Sequence, residues 1–149
     1  MRKRVVITGM GCISPVGKNV QKSWEKIKNG VTGADYISAF DATDMPCKVA
    51  AEVKGFDANE IFGRKTARKL DRYTQFAMVA AQEALDSSGI EITGENRDRI
   101  GAVIGTGVGG MATVVDNVNI MNDRGPSRVS PFMVPMMLPD SAGGMLAIE

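Results

Sequence analysis

Histidine and cysteine, the residues of Cys-His and Ser-His-Asp catalysis, are absent or few in this sequence of 149 residues. It contains no histidine and two cysteines, Cys12 and Cys47. These residues alone therefore cannot assemble Ser-His-Asp or Cys-His catalysis, or a histidine metal site. Two cysteines argue against a disulfide framework and cannot complete a zinc site alone. Because no base accompanies Cys12, we expect a buried structural thiol there.

A glycine-rich turn is the second feature that could carry chemistry. It follows the apolar run Ile100–Ile104, which predicts a strand buried on both faces. Gly105, Gly107 and Gly110 fit the G-x-G-x-x-G pattern that binds dinucleotide phosphates. A dinucleotide-binding unit also needs a second strand that ends in an acid, whereas the following helix runs into Gly125-Pro126. Nucleotide binding therefore remains an alternative that rests on a weak motif.

A basic cluster is the third feature. Its members recur at i, i+4 spacing, which places their charges on one helical face, and they are Arg64, Lys65, Arg68 and Lys69. Such a face is either solvated or a dock for an acidic partner that is steered by charge. Nucleic acid would require a larger basic surface with stacking aromatic residues. The residues alone favour solvation and leave docking as the alternative.

The overall composition is that of an ordinary soluble protein, with 44% hydrophobic and 23% charged residues. The net charge of +1 creates no field that would draw the chain to nucleic acid or to a membrane. No apolar run approaches membrane-spanning length, and the run after the basic start is too short for a signal peptide. We expect a cytoplasmic protein.

The first part of the chain predicts a strand, a helix and a second strand. The strand is Arg4–Ile7, and a turn follows at Ser14–Gly17. Asn19 is expected to cap a helix that Gly30 stops. The pattern from Val31 to Met45 is weak and is interpreted as loop. Cys47–Val53 is interpreted as a short strand.

The middle of the chain predicts three helices. Short helices are expected at Asp57–Phe62, ending at Gly63, and at Arg64–Leu70. Asp71 is expected to cap the clearest helix, Arg72–Ser87. That helix carries a strip of alanines, which would let another element approach closely.

The last part predicts a helix that ends at Gly125, an irregular segment and a final helix. The first helix has an apolar face formed by Met111, Val114, Val115, Val118 and Met121. Ser130–Pro139 is broken by prolines and is predicted to be neither regular helix nor central strand. Asp140 is expected to start a final helix of small residues. Since this helix stops on apolar residues without an end signal, we interpret the chain as cut there.

Four stretches match one family in order and with similar spacing: Arg4–Gly11, Ser14–Gly17, Leu70–Ala77 and Gly105–Gly110. Over essentially its whole length the chain resembles the 3-oxoacyl-[acyl-carrier-protein] synthases, closest to the type II enzyme of fatty acid synthesis. The resemblance implies the thiolase fold, in which two similar α/β halves form a five-layer αβαβα arrangement, and a homodimer. Residues 1–149 would be the N-terminal half of that fold.

The resemblance also implies a reaction. Such enzymes transfer an acyl chain from carrier protein to a cysteine and condense it with malonyl-carrier protein after decarboxylation. The cysteine is helped by two histidines of the C-terminal half. None of the three is present here, and neither Cys12 nor Cys47 matches the nucleophile. We therefore expect no catalytic residue, metal or cofactor in this chain, and no activity from the chain alone.

Binding positions carry over from the family residue by residue. The basic face, with Arg124 and Arg128 added, matches the patch that binds the acidic acyl carrier protein, and this favours docking over solvation. Gly107 and Val108 match the lining of the acyl pocket. Phe132, Met133 and Val134 match a segment at the end of that pocket near the dimer interface.

Two alternatives stay open beside the enzyme: a non-catalytic subunit for carrier binding or dimerisation, and a nucleotide-binding α/β domain. The resemblance further implies that Met133–Ile148 is covered by the absent half or by a second subunit. The chain alone is therefore expected to aggregate.

Overall fold

Helices carry most of the regular structure in the computed structural model, which describes residues 3–149. Within these residues the elements are α1 (Val20–Lys28), β1 (Ala34–Tyr36), β2 (Val49–Ala51), α2 (Ala58–Ala67), α3 (Arg72–Ser88), α4 (Met111–Arg124), α5 (Met133–Met137) and α6 (Ser141–Ile148). Single 3-10 turns lie at Arg97–Arg99 and Pro126–Arg128. No helix of the described part is both long and apolar enough to cross a membrane.

The chain forms two compact units. The first comprises the chain up to Phe56 together with Val79–Ile90, and the second comprises Asp57–Met78 together with Glu91–Glu149. The helix α3 begins in the second unit and ends in the first.

Local signals place the ends of the helices as predicted. The Asn19 side chain accepts a hydrogen bond from the Lys22 N–H at 2.8 Å and so caps α1. Gly63 interrupts α2 with φ 73°, a left-handed conformation that favours glycine, and divides it into the two expected short helices. Gly125, with φ 85°, ends α4.

In the first unit, β1 and β2 form an antiparallel pair in which Tyr36 lies opposite Val49. The expected short strand at Cys47–Val53 is thus confirmed, but the interpretation of Val31–Met45 as loop is wrong, because β1 lies within it. The reason is that β1 is only three residues long and is defined by its pairing with β2, which no local pattern reveals.

The alanine strip of α3 is closely approached by another segment, as predicted, and the structure shows that this segment contains Gly9 and Gly11. A Cβ atom on Gly11 would lie 1.7 Å from the Ala80 carbonyl oxygen, and one on Gly9 would lie 2.1 Å from that of Ala84. Only glycine can approach a helix backbone so closely. The Glu83 carboxylate, which the sequence reading missed, fixes this packing by accepting hydrogen bonds from the N–H groups of Cys12 and Val20, both at 2.9 Å.

The two predicted apolar strands are wrong for the described chain. Arg4–Ile7 and Ile100–Ile104 pair with no other strand among residues 3–149. Their side chains are exposed except for the half-buried Ile104, and Val5 is 93% and Val103 97% exposed. A strand needs a neighbour to accept and donate its backbone hydrogen bonds, and an apolar sequence cannot supply one by itself.

The last part of the chain differs from prediction in two respects. The prolines of Ser130–Pro139 do not prevent a short helix, because Pro135 is the third residue of α5, where the N–H would lack an intrahelical acceptor. The expected apolar face of α4 is largely exposed, and the residues that α4 buries are Thr113 and Asn117. The final helix, α6, begins after Asp140 as predicted.

Candidate functional site

Asp71 joins the first turns of α3 and α4 in the second unit. Its Oδ1 accepts a hydrogen bond from the Tyr73 N–H at 3.1 Å, which caps α3 as predicted. Its Oδ2 accepts one from the Thr113 hydroxyl at 2.5 Å. Both residues are buried, with Asp71 7% and Thr113 8% exposed. One carboxylate therefore lies at two helix N-termini, where a negative charge is favourable.

The end of the glycine turn is pressed against the end of α5. Gly109 has φ 79°, and a Cβ atom on it would lie 2.2 Å from the Met137 carbonyl oxygen. A Cβ atom on Gly110 would lie 2.5 Å from the Met136 carbonyl oxygen and 2.7 Å from Asp71 Oδ2. The Gly110 N–H donates to the Met137 carbonyl oxygen at 3.1 Å. Glycine is thus required at both positions by close backbone approach.

This geometry disfavours the phosphate-binding interpretation of the turn. The Asp71 carboxylate lies against Gly110 and accepts from Thr113 in the first turn of α4, where a phosphate would sit. A phosphate there would meet a like charge. Gly105 and Gly107 have open space where a Cβ atom would be, so no close contact within the described chain requires glycine there.

The predicted basic face is brought together with Phe132. One open cleft has a volume of about 770 Å³, and its lining residues are Arg64, Lys65, Arg68, Lys69, Ser130 and Phe132. All four basic residues are exposed. We call this the basic groove: four cations form one wall, and the Ser130–Phe132 segment forms the other.

Gln75 positions the basic wall from beneath. Its side-chain amide donates to the carbonyl oxygens of Ala67 at 3.1 Å and Leu70 at 2.9 Å, just where α2 ends. Such carbonyls otherwise lack intrahelical partners. Gln75 is buried, with 8% exposure, so this contact fixes the end of α2 against α3. The sequence reading missed it because a glutamine inside a helix is ordinarily solvent-facing.

The opposite wall of the basic groove is held by Asn117. Its side-chain oxygen accepts from the Ser130 N–H at 2.8 Å, and its amide donates to the Thr113 carbonyl oxygen at 2.8 Å. Across the groove, the Lys69 ammonium lies 5.3 Å from the centre of the Phe132 ring, within the range of a cation–π interaction.

The other predicted positions lie outside the lining of the basic groove. Arg124 and Arg128 are exposed. Val108 is 59% exposed and Val134 55% exposed, Gly107 is exposed, and Met133 is half-buried. Helix α5 links the basic groove to the glycine turn. Phe132 of the groove precedes its first residue, and the carbonyl groups of its last two residues contact Gly109 and Gly110.

Neither cysteine is placed for metal binding. Cys12 is half-buried rather than fully buried, as its thiol donates to the Ser23 hydroxyl at 3.7 Å, and Cys47 is exposed. Among residues 3–149, no group of three or more His, Cys, Asp or Glu side chains could hold a metal ion.

Three carboxylates with a lowered pKa belong to the first unit. The pKa of Asp35 is lowered by its hydrogen bond with Lys54, that of Asp41 by the Thr43 hydroxyl, and that of Glu52 by the Ser38 hydroxyl. All three are hydrogen-bonded acids in and around the β1–β2 hairpin. None of the three lines the basic groove.

Residues 2–149 match the family model described as the N-terminal domain of β-ketoacyl synthase. A protein named 3-oxoacyl-[acyl-carrier-protein] synthase 2 from Synechocystis sp. is 44% identical over 148 residues, which are 99% of this chain and 36% of that protein. The protein of the same name from Staphylococcus aureus (strain N315) is 45% identical over 147 residues, again 36% of its length. The chain thus spans about a third of the curated relatives that it matches.

Solved structures support the same fold. A type II PKS ketosynthase in complex with its acyl-carrier protein aligns with a TM-score of 0.79 and 25% identity, over 99% of this chain and 39% of that one. The ishigamide ketosynthase/chain length factor aligns with a TM-score of 0.83 and 25% identity, over 100% and 37%. The predicted fold class is therefore confirmed: the chain has the α/β architecture of the N-terminal part of a thiolase-like fold.

Proposed function

Because this chain belongs to the β-ketoacyl synthase family, we propose that the complete protein elongates acyl chains on acyl carrier protein. The acyl group passes from the carrier thiol to an enzyme cysteine. Malonyl-carrier protein then loses CO₂, and the resulting carbanion attacks the acyl thioester. The product is 3-oxoacyl-carrier protein, and the enzyme thiol is released. Relatives named 3-oxoacyl-[acyl-carrier-protein] synthase 2, at 44–45% identity, support this reaction class.

The observation on this chain that carries the proposal is the basic groove. Four exposed cations on one wall suit an acidic protein, because like charges gathered on one face steer an oppositely charged partner into contact. The aligned ketosynthase structure contains its own acyl-carrier protein, which supports the same class of partner here. Arg124 and Arg128 are exposed and extend the candidate docking set.

The acyl chain itself is proposed to lie along the glycine turn and the start of α5. The lining residues are Gly107, Val108, Phe132, Met133 and Val134, of which all but the half-buried Met133 are exposed. Burying each methylene of an alkyl chain contributes about 0.8 kcal/mol, so apolar residues left open to solvent gain from such a ligand. The close packing of Gly109 and Gly110 on α5 would hold the two parts of this lining together.

Catalysis is proposed to require residues beyond this chain. The sequence has no histidine, and the Cys12 thiol donates to the Ser23 hydroxyl at 3.7 Å. The 149-residue chain alone should therefore release no product. For the complete protein we propose a cytoplasmic homodimer.

The decisive experiment is an assay of the complete protein with acyl- and malonyl-carrier protein. We expect CO₂ release and a 3-oxoacyl-carrier product, resolved by mass spectrometry. Carrier binding without product would favour the non-catalytic subunit. If neither carrier binding nor product is found while NAD or ATP binds tightly by calorimetry, the nucleotide-binding alternative replaces the proposal. Product from the 149-residue chain would refute the assignment of catalysis to residues outside it.

A further inference from the structure

We propose that Asn117 is a positioning residue for carrier recognition, which presents the Lys69 ammonium to an acidic partner through Ser130 and Phe132. This proposal rests on the proposed function, since it concerns how the basic groove receives a carrier protein. Asn117 itself faces no partner, because it is only 7% exposed.

The first step is the anchoring of Asn117 to its own helix. Its amide donates to the Thr113 carbonyl oxygen one turn earlier in α4. This bond fixes which way the side-chain oxygen points, and that oxygen accepts from the Ser130 N–H. A buried amide with both ends satisfied has little freedom to rotate.

The second step runs from Ser130 to Phe132. The Ser130 hydroxyl accepts from the Phe132 N–H at 3.2 Å, and the Ser130 carbonyl oxygen accepts from the Met133 N–H at 3.0 Å. Ser130 thus organises the entry into α5. Holding its backbone also holds the backbone from which the Phe132 ring projects.

The third step is the contact across the groove. The Phe132 ring lies 5.3 Å from the ammonium of Lys69, which is an exposed residue. Without such a contact, the Lys69 side chain would sample many rotamers. An ordered lysine loses less side-chain entropy when it pairs with a carboxylate than a freely rotating one does. The ring occupies one side of the ammonium and leaves its other donors for the partner.

A ring-current measurement tests the positioning without any partner. In the complete protein with isotope-labelled lysine, the ε-methylene protons of Lys69 should resonate upfield, and Phe132→Leu should abolish this shift. Asn117→Ala should abolish or halve it as well. The matched control is Asn119→Ala, the same change at an exposed position of α4, which should leave the shift intact.

The conservative variant Asn117→Asp separates positioning from general stability. It loses the amide that donates to Thr113, but both oxygens of its carboxylate are acceptors, so either can receive the Ser130 N–H without the anchor that sets the orientation of the amide. We expect it to lower the unfolding temperature and to retain the Lys69 shift. If Asn117→Ala leaves the shift unchanged, or if Asn117→Asp loses it while the protein stays folded, the proposal is overturned.

Binding of purified acyl carrier protein then tests the functional consequence. Both Phe132→Leu and Asn117→Ala should weaken binding about two- to fivefold, the range of an exposed cation–π contact. Together they should cost no more than either alone, because they act through one contact. Additive losses would overturn the proposal. If the wild-type protein does not bind the carrier while the ring-current results hold, the proposed function fails and the positioning of Lys69 by Asn117 stands.

Should Asn117→Ala fail to fold, Phe132→Leu still tests the ring contact through which Asn117 is proposed to act, because the Phe132 side chain is 39% exposed and lies on the groove surface. Unchanged carrier affinity in Phe132→Leu would show that the ring does not present Lys69, and the proposal would be rejected.

Discussion

The hydroxyl of Thr113 donates a hydrogen bond to the carboxylate of Asp71, forty-two residues earlier in the chain. This contact ties the start of α4 to the start of α3, and both side chains are buried. It also brings a charge beside Gly110, at the end of the glycine turn. A buried carboxylate that lacks hydrogen-bond donors is costly. Loss of the Thr113 hydroxyl should therefore destabilise the protein by more than the net contribution of an ordinary hydrogen bond.

Thr113→Val should lower the free energy of unfolding by about 1.5–3 kcal/mol, the range for a hydrogen bond to a charged group. The shape is conserved, and only the donor to Asp71 is lost. Denaturant unfolding of the variant and the wild type provides the measurement. The matched control is Thr93→Val, the same change at an exposed residue. Equal stability of the two variants would show that the Asp71 contact contributes nothing.

Gly109→Ala should destabilise the protein by about 2–5 kcal/mol. The left-handed backbone contributes about 1–2 kcal/mol of strain, and the clash with the Met137 carbonyl about 1–3 kcal/mol. Gly107→Ala is the control, because open space surrounds that position. It should shift the unfolding free energy by less than about 1 kcal/mol, because its main effect is to reduce the conformational entropy of the unfolded chain. Thermal unfolding of both variants checks the difference, and equal effects would contradict the packing of the turn on α5.

Helix ends could be read from the sequence because their signals are local. Asn19, Gly63 and Gly125 each act within one turn of their position, through a cap or a left-handed backbone. The strands predicted at Arg4–Ile7 and Ile100–Ile104 were wrong, because the pairing of a strand depends on a neighbour that is distant in sequence.

The candidate site was predictable only in part for the same reason. The i, i+4 spacing located the basic wall, since charge on one helical face is a local property. The supports of the groove, Gln75 and Asn117, could not be recognised. Both are polar residues in amphipathic helices, which hydropathy places at the surface, whereas in the structure α4 buries Asn117 and exposes much of its apolar stripe.

The β1–β2 hairpin should weaken in acid. Its Glu52 carboxylate accepts from the Ser38 hydroxyl and the Ala39 N–H, and these bonds hold the pKa of Glu52 below its ordinary value of 4.5. The folded state therefore keeps this group ionised at a pH where the unfolded state is already protonated. The resulting stability is fully present above the ordinary pKa and is lost as the pH falls through the lowered one.

Glu52→Gln should accordingly be less stable than the wild type at neutral pH, and the gap should close as the pH drops below the ordinary pKa of the carboxyl. Unfolding midpoints measured across the acid range give this comparison. Glu95→Gln, at an exposed glutamate, is the control and should follow the wild-type profile. A gap that stays constant with pH would exclude a titrating contribution from Glu52.

Lys65→Glu combined with Lys69→Glu should weaken the binding of acyl carrier protein at least about tenfold at low salt, because attraction across the basic groove becomes repulsion. The dependence of the dissociation constant on salt should flatten or reverse, since fewer favourable charge pairs are left to screen. The control pair is Lys22→Glu with Lys48→Glu, two exposed lysines outside the groove that change the net charge by the same amount. Calorimetric titration of the complete protein at several salt concentrations separates the two pairs. Equal weakening by both would mean that net charge rather than the groove attracts the carrier, and unchanged binding in the Lys65 and Lys69 variant would remove the groove from carrier recognition.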